Sequence, residues 1–162
     1  MLKFLNKKKN DNKGFSLVEL IIVVAIMAIL VGLLAPQYLK YVEKSRKSAD
    51  ASNLDEMVRA IQIYAADAEE TLPAGTYTIT INKSTGTSIT ATNGGAVTVA
   101  TTALNESAPG WEKTKLKSNK WDNKGANAES VSAKITVEQD GGTTVTYTPS
   151  TLADYINKTA GN

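Results

Sequence analysis

The chain contains no cysteine and no histidine. The first absence rules out any disulfide staple, whatever compartment the chain reaches. The second removes Ser-His-Asp and Cys-His nucleophile systems and every His-ligated metal site, while carboxylate and lysine chemistry survive the count. Acid is scarce at the start, where the first fourteen residues hold five lysines (Lys3, Lys7, Lys8, Lys9, Lys13) against Asp11 alone. Without that segment thirteen basic residues face fifteen acidic ones, so the formal charge of +2 becomes −2. That balance gives no electrostatic footprint for nucleic acid, and no nucleic-acid partner is expected. Charge of either sign is missing from Leu20 through Leu39.

That uncharged run dominates a chain of 162 residues, which has room for one membrane segment and one modest domain. A helix of this length rises ~30 Å, about the hydrocarbon thickness of a bilayer. A cleaved secretory signal and a retained anchor compete for it. A signal has a shorter apolar region, about 7–15 residues, and a small-x-small cleavage site. Here the run ends "LLAPQY", with bulky Leu33 at the would-be site and Pro36 just after Ala35. Both features favour a retained span. The lysine cluster before it orients the N-terminus to the cytoplasm and the rest outside, although Lys40, Lys44, Arg46 and Lys47 follow the span and are offset in part by Glu43 and Asp50. Glu19 then needs an explanation, because a charge inside a bilayer costs on the order of 3 kcal/mol.

The stretch "KGFSLVEL" resembles the leader junction of type IV prepilins: a short basic leader ending in Gly14, then Phe15, then Glu19 at the mouth of an apolar helix. The likeness is strong over residues 7 to 40 and architectural beyond. It implies that a membrane-embedded prepilin peptidase cuts between Gly14 and Phe15 and that the new Phe15 amine is N-methylated. A residue without a side chain enters a narrow active site at little steric cost, which suits Gly14 to the position before the cut. In an assembled fibre the resemblance sets Glu19 against the Phe15 amine of a neighbouring subunit, so that neither charge is buried alone. The alternative is that Glu19 snorkels to the headgroups and caps the helix N-terminus.

Beyond the span, Leu39, Val42, Leu54, Met57, Val58, Ile61, Tyr64, Ala65 and Ala68 recur at helical spacing. The stripe keeps its phase across "EKSRKSADASN", which predicts one continuous helix from Ser16 to Glu70, ended by Pro73 and Gly75, over a second helix capped by Ser52 and Asp55. The charges of residues 43–53 read as a solvated face. Pro36 lacks the N–H that would bond the Gly32 carbonyl, so Gly32 and Pro36 mark a kink. The resemblance adds local melting of that turn in the fibre.

After Gly75 the period changes to two. "TYTITI", "TSITAT", "AVTVAT", "AKITVEQ" and "TTVTYT" alternate as strands of an antiparallel sheet with one buried face. The turns "NKSTG", "NGG" and "DGG" separate them. Leu54, Met57, Val58, Ile61 and Tyr64 supply the apolar partner. Residues 103–130 lack a period and read as a loop, with room for a short helix. Trp111 and Trp121 within it suit a ligand groove or, as the preferred reading, anchor the loop to the sheet. Lys113, Lys115, Lys117, Lys120 and Lys124 read as a solvated basic patch. "PSTLADYINKTAGN" predicts a short helix capped by Ser150 or Thr151, with Leu152, Tyr155 and Ile156 buried.

The expected fold class is therefore α+β: a long N-terminal helix, membrane-spanning in its first half and amphipathic in its second, packed on an antiparallel sheet, with a short C-terminal helix. The expected organisation is a leader over 1–14, an apolar half-helix over 15–39 and a head over 40–162. The head divides into helix 40–72, sheet 76–148 with loop 103–130, and helix 150–159. The missing cysteines and the threonine-rich strands resemble pilins of Gram-positive, clostridial bacteria.

The resemblance implies a structural subunit that leaves the cytoplasmic membrane for an extracellular type IV pilus serving adhesion, twitching or biofilm formation. Its partners would be further copies of itself, the peptidase, an assembly platform protein and a cytoplasmic ATPase; the chain itself has no Walker-type phosphate loop. No enzymatic activity, cofactor or metal is expected. A pseudopilin of a type II secretion system or a minor pilin shares the junction. A membrane-anchored extracellular binding domain is the alternative of another class, and Glu19 argues against it.

Overall fold

The computed structural model describes residues 14–67, 72–121 and 128–159. Contacts divide the chain into an N-terminal unit, residues 1–40, and a C-terminal unit, residues 41–162.

Helix α1 spans Leu17–Ala66 without interruption. In the N-terminal unit it buries nothing: every residue from Gly14 to Lys40 is exposed, Phe15 at 84%. By length and composition this part of the helix is long and apolar enough to cross a membrane. Continuity through residues 43–53 agrees with the phase of the apolar stripe. Asp55, the other half of the alternative capping box, accepts a hydrogen bond from Arg59 at 2.8 Å, one turn later on the same helix.

The helix ends at Ala66, short of the expected residue 72. Its last turn carries no basic residue, and the next residues include Asp67, Glu69 and Glu70, whose charges are disfavoured at a helix C-terminus. Gly141, at a φ of 81°, also lies so close that a side chain there would meet the Ala65 carbonyl at 2.8 Å. Residues 68–71 lie outside those described.

In the C-terminal unit, strands β1 (Gly75–Asn82), β2 (Gly86–Thr92), β3 (Ser130–Val137) and β4 (Thr143–Thr148) form one antiparallel sheet in the order β2-β1-β3-β4. Alternation sends Tyr77, Ile79, Ile81, Val131, Ala133, Ile135 and Val137 inward, where they share the core with Leu54, Met57, Val58 and Ile61 of α1. The opposite face carries threonines in register, Thr76 opposite Thr92 and Thr136, and Thr78 opposite Thr90. The period-two reading is right for all four of these strands.

It is wrong for "AVTVAT", which begins helix α2, Val97–Ser107. Ala100, Ala103 and Leu104 are buried at spacings of three and four, while Val97, which a strand would bury, is 40% exposed. Alternating valines favour a strand locally, but the following Ala103 and Leu104 offer a helical stripe that the core accepts, and packing overrides the weaker propensity. The "NGG" turn therefore leads into a helix.

The rest of the 103–130 segment has a 3-10 turn at Trp111–Lys113 and then neither helix nor strand to Trp121; residues 122–127 lie outside those described. Helix α3, Thr151–Thr159, buries Leu152 and Ile156 and half-buries Tyr155.

Candidate processing junction and head clamp

The Gly14–Phe15 bond, the expected processing junction, lies in the N-terminal unit. Ser16 precedes α1, and its Oγ accepts the Val18 N–H at 3.3 Å; Glu19 Oε2 reaches back to accept the Ser16 N–H at 2.9 Å. This reciprocal arrangement is a capping box, and it fills two of the orphan donors that open a helix. Its Ser-x-x-Glu spacing is the local signal in the sequence for such a box. The carboxylate is thus pinned one residue beyond the Gly14–Phe15 bond. It keeps acceptor capacity to spare, since an ionised carboxylate takes about four hydrogen bonds.

Gly14 is exposed, and a Cβ added to it would meet nothing within 4 Å. Nor does its backbone require glycine, because its φ is not in the left-handed region. The fold places no demand on this residue. The same holds for Gly32, in open space on the bare helix, although glycine there costs about 1 kcal/mol relative to alanine. Pro36 also lies within α1.

The C-terminal unit holds a different arrangement, missed in the sequence. Asp50 is completely buried. It accepts three hydrogen bonds: from Lys117 N–H at 2.8 Å, Ser118 N–H at 2.9 Å and the Trp121 indole N–H at 3.1 Å. Ser118 Oγ donates in turn to Glu43. The expectation of a solvated face over 43–53 is therefore corrected, because two of its acids hold the loop from 67 to 75 residues away. No local pattern marks such a partnership; only the chain's return to α1 creates it.

Both tryptophans are anchors. Trp111 is buried and its indole N–H bonds Asn105 Oδ1 at 3.0 Å. Trp121 is fully buried, meets the Tyr155 ring edge-on at 5.3 Å and lies beneath the Lys47 ammonium, 5.3 Å from its centroid. Each tryptophan anchors to a helix, α2 for Trp111 and α1 and α3 for Trp121, rather than to the sheet alone. Among the described residues no group of three His, Cys, Asp or Glu side chains is placed to hold a metal.

Three similarities bear on these features. Residues 9–35 match the Prokaryotic N-terminal methylation motif. A type IV major fimbrial protein, FimA, of Dichelobacter nodosus is 42% identical over 62 residues, 38% of this chain and 40% of that protein. Prepilin peptidase-dependent protein A of Clostridium perfringens (strain 13 / Type A) is 35% identical over 80 residues, 49% of this chain and 55% of that protein. The chain thus spans between about 40% and about half of the length of these curated relatives. No solved structure matches. The chain carries the N-methylation motif of type IV prepilins, and residues 36–162 lie beyond the matched motif.

Proposed function

We propose that the chain is the structural subunit of a type IV pilus, held in the cytoplasmic membrane by α1 before assembly and released into an extracellular fibre. The observation that carries this reading is the conjunction at residues 14–19. A glycine that the fold does not require precedes an exposed aromatic residue, and a carboxylate is pinned beside the bond between them. The demand for Gly14 comes from outside the fold, from a peptidase that must accommodate an unhindered backbone.

Cleavage after Gly14 makes the Phe15 nitrogen an α-amine, with an ordinary pKa near 8, one residue from the Ser16 N–H that Glu19 now holds. Methylation keeps that nitrogen basic. The sequence of events is then electrostatic. Glu19 caps the helix in the membrane and, in the fibre, takes the Phe15 amine of a neighbouring copy with its remaining lone pairs. The apolar surface of α1, bare in the single chain, is buried against other copies. The platform protein and ATPase that drive extension are supplied by the cell.

Gly14→Val tests the processing step. The β-branched side chain stiffens the backbone the peptidase must draw out, so intact-mass measurement should find the leader retained. Normal cleavage with a methylated Phe15 would refute the assignment. Immunogold labelling with an antibody to residues 76–162 should decorate surface fibres, and label confined to the membrane would exclude the pilus reading.

A further inference from the structure

The sheet order leaves β2 and β4 as terminal strands, and their outer edges differ. The β2 edge is shut in. Gly86 lies so close to the Glu112 carbonyl that a side chain there would collide with it, and Thr87 Oγ1 donates to the Thr114 carbonyl at 2.8 Å. The β4 edge is open. Among the described residues no backbone hydrogen bond from residues 143–148 runs outside the sheet. Natural edges are blunted with lysine, proline or a bulge, and "TTVTYT" has none of these.

The apolar face also stops short at this edge. Tyr77, Ile79 and Ile81 of β1 and Val131, Ala133, Ile135 and Val137 of β3 are buried, whereas Thr143, Val145 and Tyr147 are only half-buried. The hairpin fixes which backbone groups face outward. Glu138 N–H bonds the Gly142 carbonyl at 2.8 Å, and the register continues with Val137 opposite Thr143. Bonded and non-bonded pairs alternate along antiparallel strands. Thr144, Thr146 and Thr148 therefore bond β3, while Thr143, Val145 and Tyr147 turn N–H and C=O to the open edge.

We infer that β4 pairs antiparallel with β4 of a second copy about a two-fold axis at Val145. The register must set inward side chains opposite inward ones. With Val145 on Val145, Thr143 faces Tyr147 of the second copy. Every outward N–H and C=O of these three residues then has a partner, and the apolar face runs on from one sheet into the other. An axis at Thr146 would set Thr143 against Pro149, which has no N–H. No charge of either sign lies between Asp140 and Asp154, so no like charges meet across the axis. Because the β2 edge is closed, the joined sheet ends at two copies.

The two-fold axis reverses α1 together with β4, whereas copies in one fibre carry α1 in one direction. The contact therefore joins two fibres that run in opposite directions. That consequence rests on the pilus reading; the strand pairing does not. Each contact is small, and repetition along two fibres supplies avidity.

The chain has no cysteine, so introduced cysteines report the register. In the pair, Thr144 opposes Thr146 with Cα atoms ~4.5 Å apart. That lies within the disulfide range of about 4.4–6.8 Å, whereas Thr144 and its own counterpart are diagonal neighbours about 7–8 Å apart. Detergent-solubilised full-length Thr144→Cys and Thr146→Cys chains, mixed under mild oxidation, should give at least ~fivefold more disulfide dimer than either alone. Thr144→Cys mixed with Thr90→Cys, on the closed edge, should stay at the single-chain level. Thr146→Lys should keep the wild-type melting temperature and fibre yield while side-by-side contacts between fibres disappear from electron micrographs. Equal dimer in mixed and single samples overturns the inference, as do Thr146→Lys fibres that associate like the wild type. Register-specific dimer from a wild type that makes no fibres would refute the pilus reading and support the pairing.

Discussion

A carboxylate stripped of water is stable only when hydrogen bonds replace the water, and Asp50 receives three. Two are backbone amides of one loop and the third is an indole, so a single side chain fixes both the path of the loop and the rotamer of Trp121. Asp50→Asn is nearly isosteric but turns one acceptor oxygen into a donor facing an N–H. We expect a loss of about 1–3 kcal/mol and a lower urea midpoint, with Trp121 fluorescence shifting to the red. An unchanged midpoint would show that the clamp adds nothing.

Tyr77 is a second tie, donating its hydroxyl to the nearby Pro73 carbonyl at 2.7 Å and accepting the N–H of Ala96, nineteen residues on, at 3.1 Å. Burial pushes its phenol above the ordinary value of 10.0, opposed by the Ala96 amide. Below pH 10 the group is neutral in folded and unfolded chains alike, and its contribution is complete. Above that the unfolded chain loses its proton first, so stability falls as pH rises through the folded value. Tyr77→Phe should be less stable at neutral pH by about 1–3 kcal/mol and should lose less on going to alkaline pH. Parallel melting curves for the two proteins across the alkaline range would rule out this linkage. The Asp50 bonds and the Tyr77–Ala96 bond have no local signature, since each depends on where a later segment returns.

Among the elements, the sequence spoke most clearly where period and burial coincide. The stripe from Leu54 to Ile61 and the alternation in β1 to β4 each match one face of one element. Residues 96–101 form a helix instead because two alternating valines, Val97 and Val99, are too few to outweigh a helical stripe that extends to Leu104. The expected weak turn at Gly32 and Pro36 rests on covalent chemistry alone. Proline there removes a hydrogen bond and weakens the helix by ~3 kcal/mol, yet α1 runs through it in the single chain. The expectation is a kink in the free subunit and melting of this turn once neighbouring helices load it in a fibre, which would let the fibre stretch. A fibre map with unbroken helix over residues 30–38 would refute the melting, and Pro36→Ala fibres should extend less under the same force.

For the whole molecule the proposed function raises the question of how one chain would be stable in a membrane and then in a polymer. Both environments cover apolar surface, so the transfer is decided by the few polar groups that must be satisfied in each. Glu19 is the acid in the first helical turn of α1, and in the single chain it is satisfied by the Ser16 N–H. If capping were its whole function, Glu19→Gln would matter little, because a glutamine carbonyl accepts the same bond and the lost dipole interaction is about 1 kcal/mol or less. If it also neutralises a neighbour's Phe15 ammonium, the amide leaves a buried charge unpaired, a cost of about 3–5 kcal/mol that recurs at every subunit added. The two roles therefore separate by step. Glu19→Gln should be cleaved after Gly14 and methylated like the wild type, by intact mass, yet processed subunit should accumulate in the membrane while sheared surface fibres become scarce. A wild-type yield of fibres built from Glu19→Gln subunits would leave the cap as the carboxylate's only function.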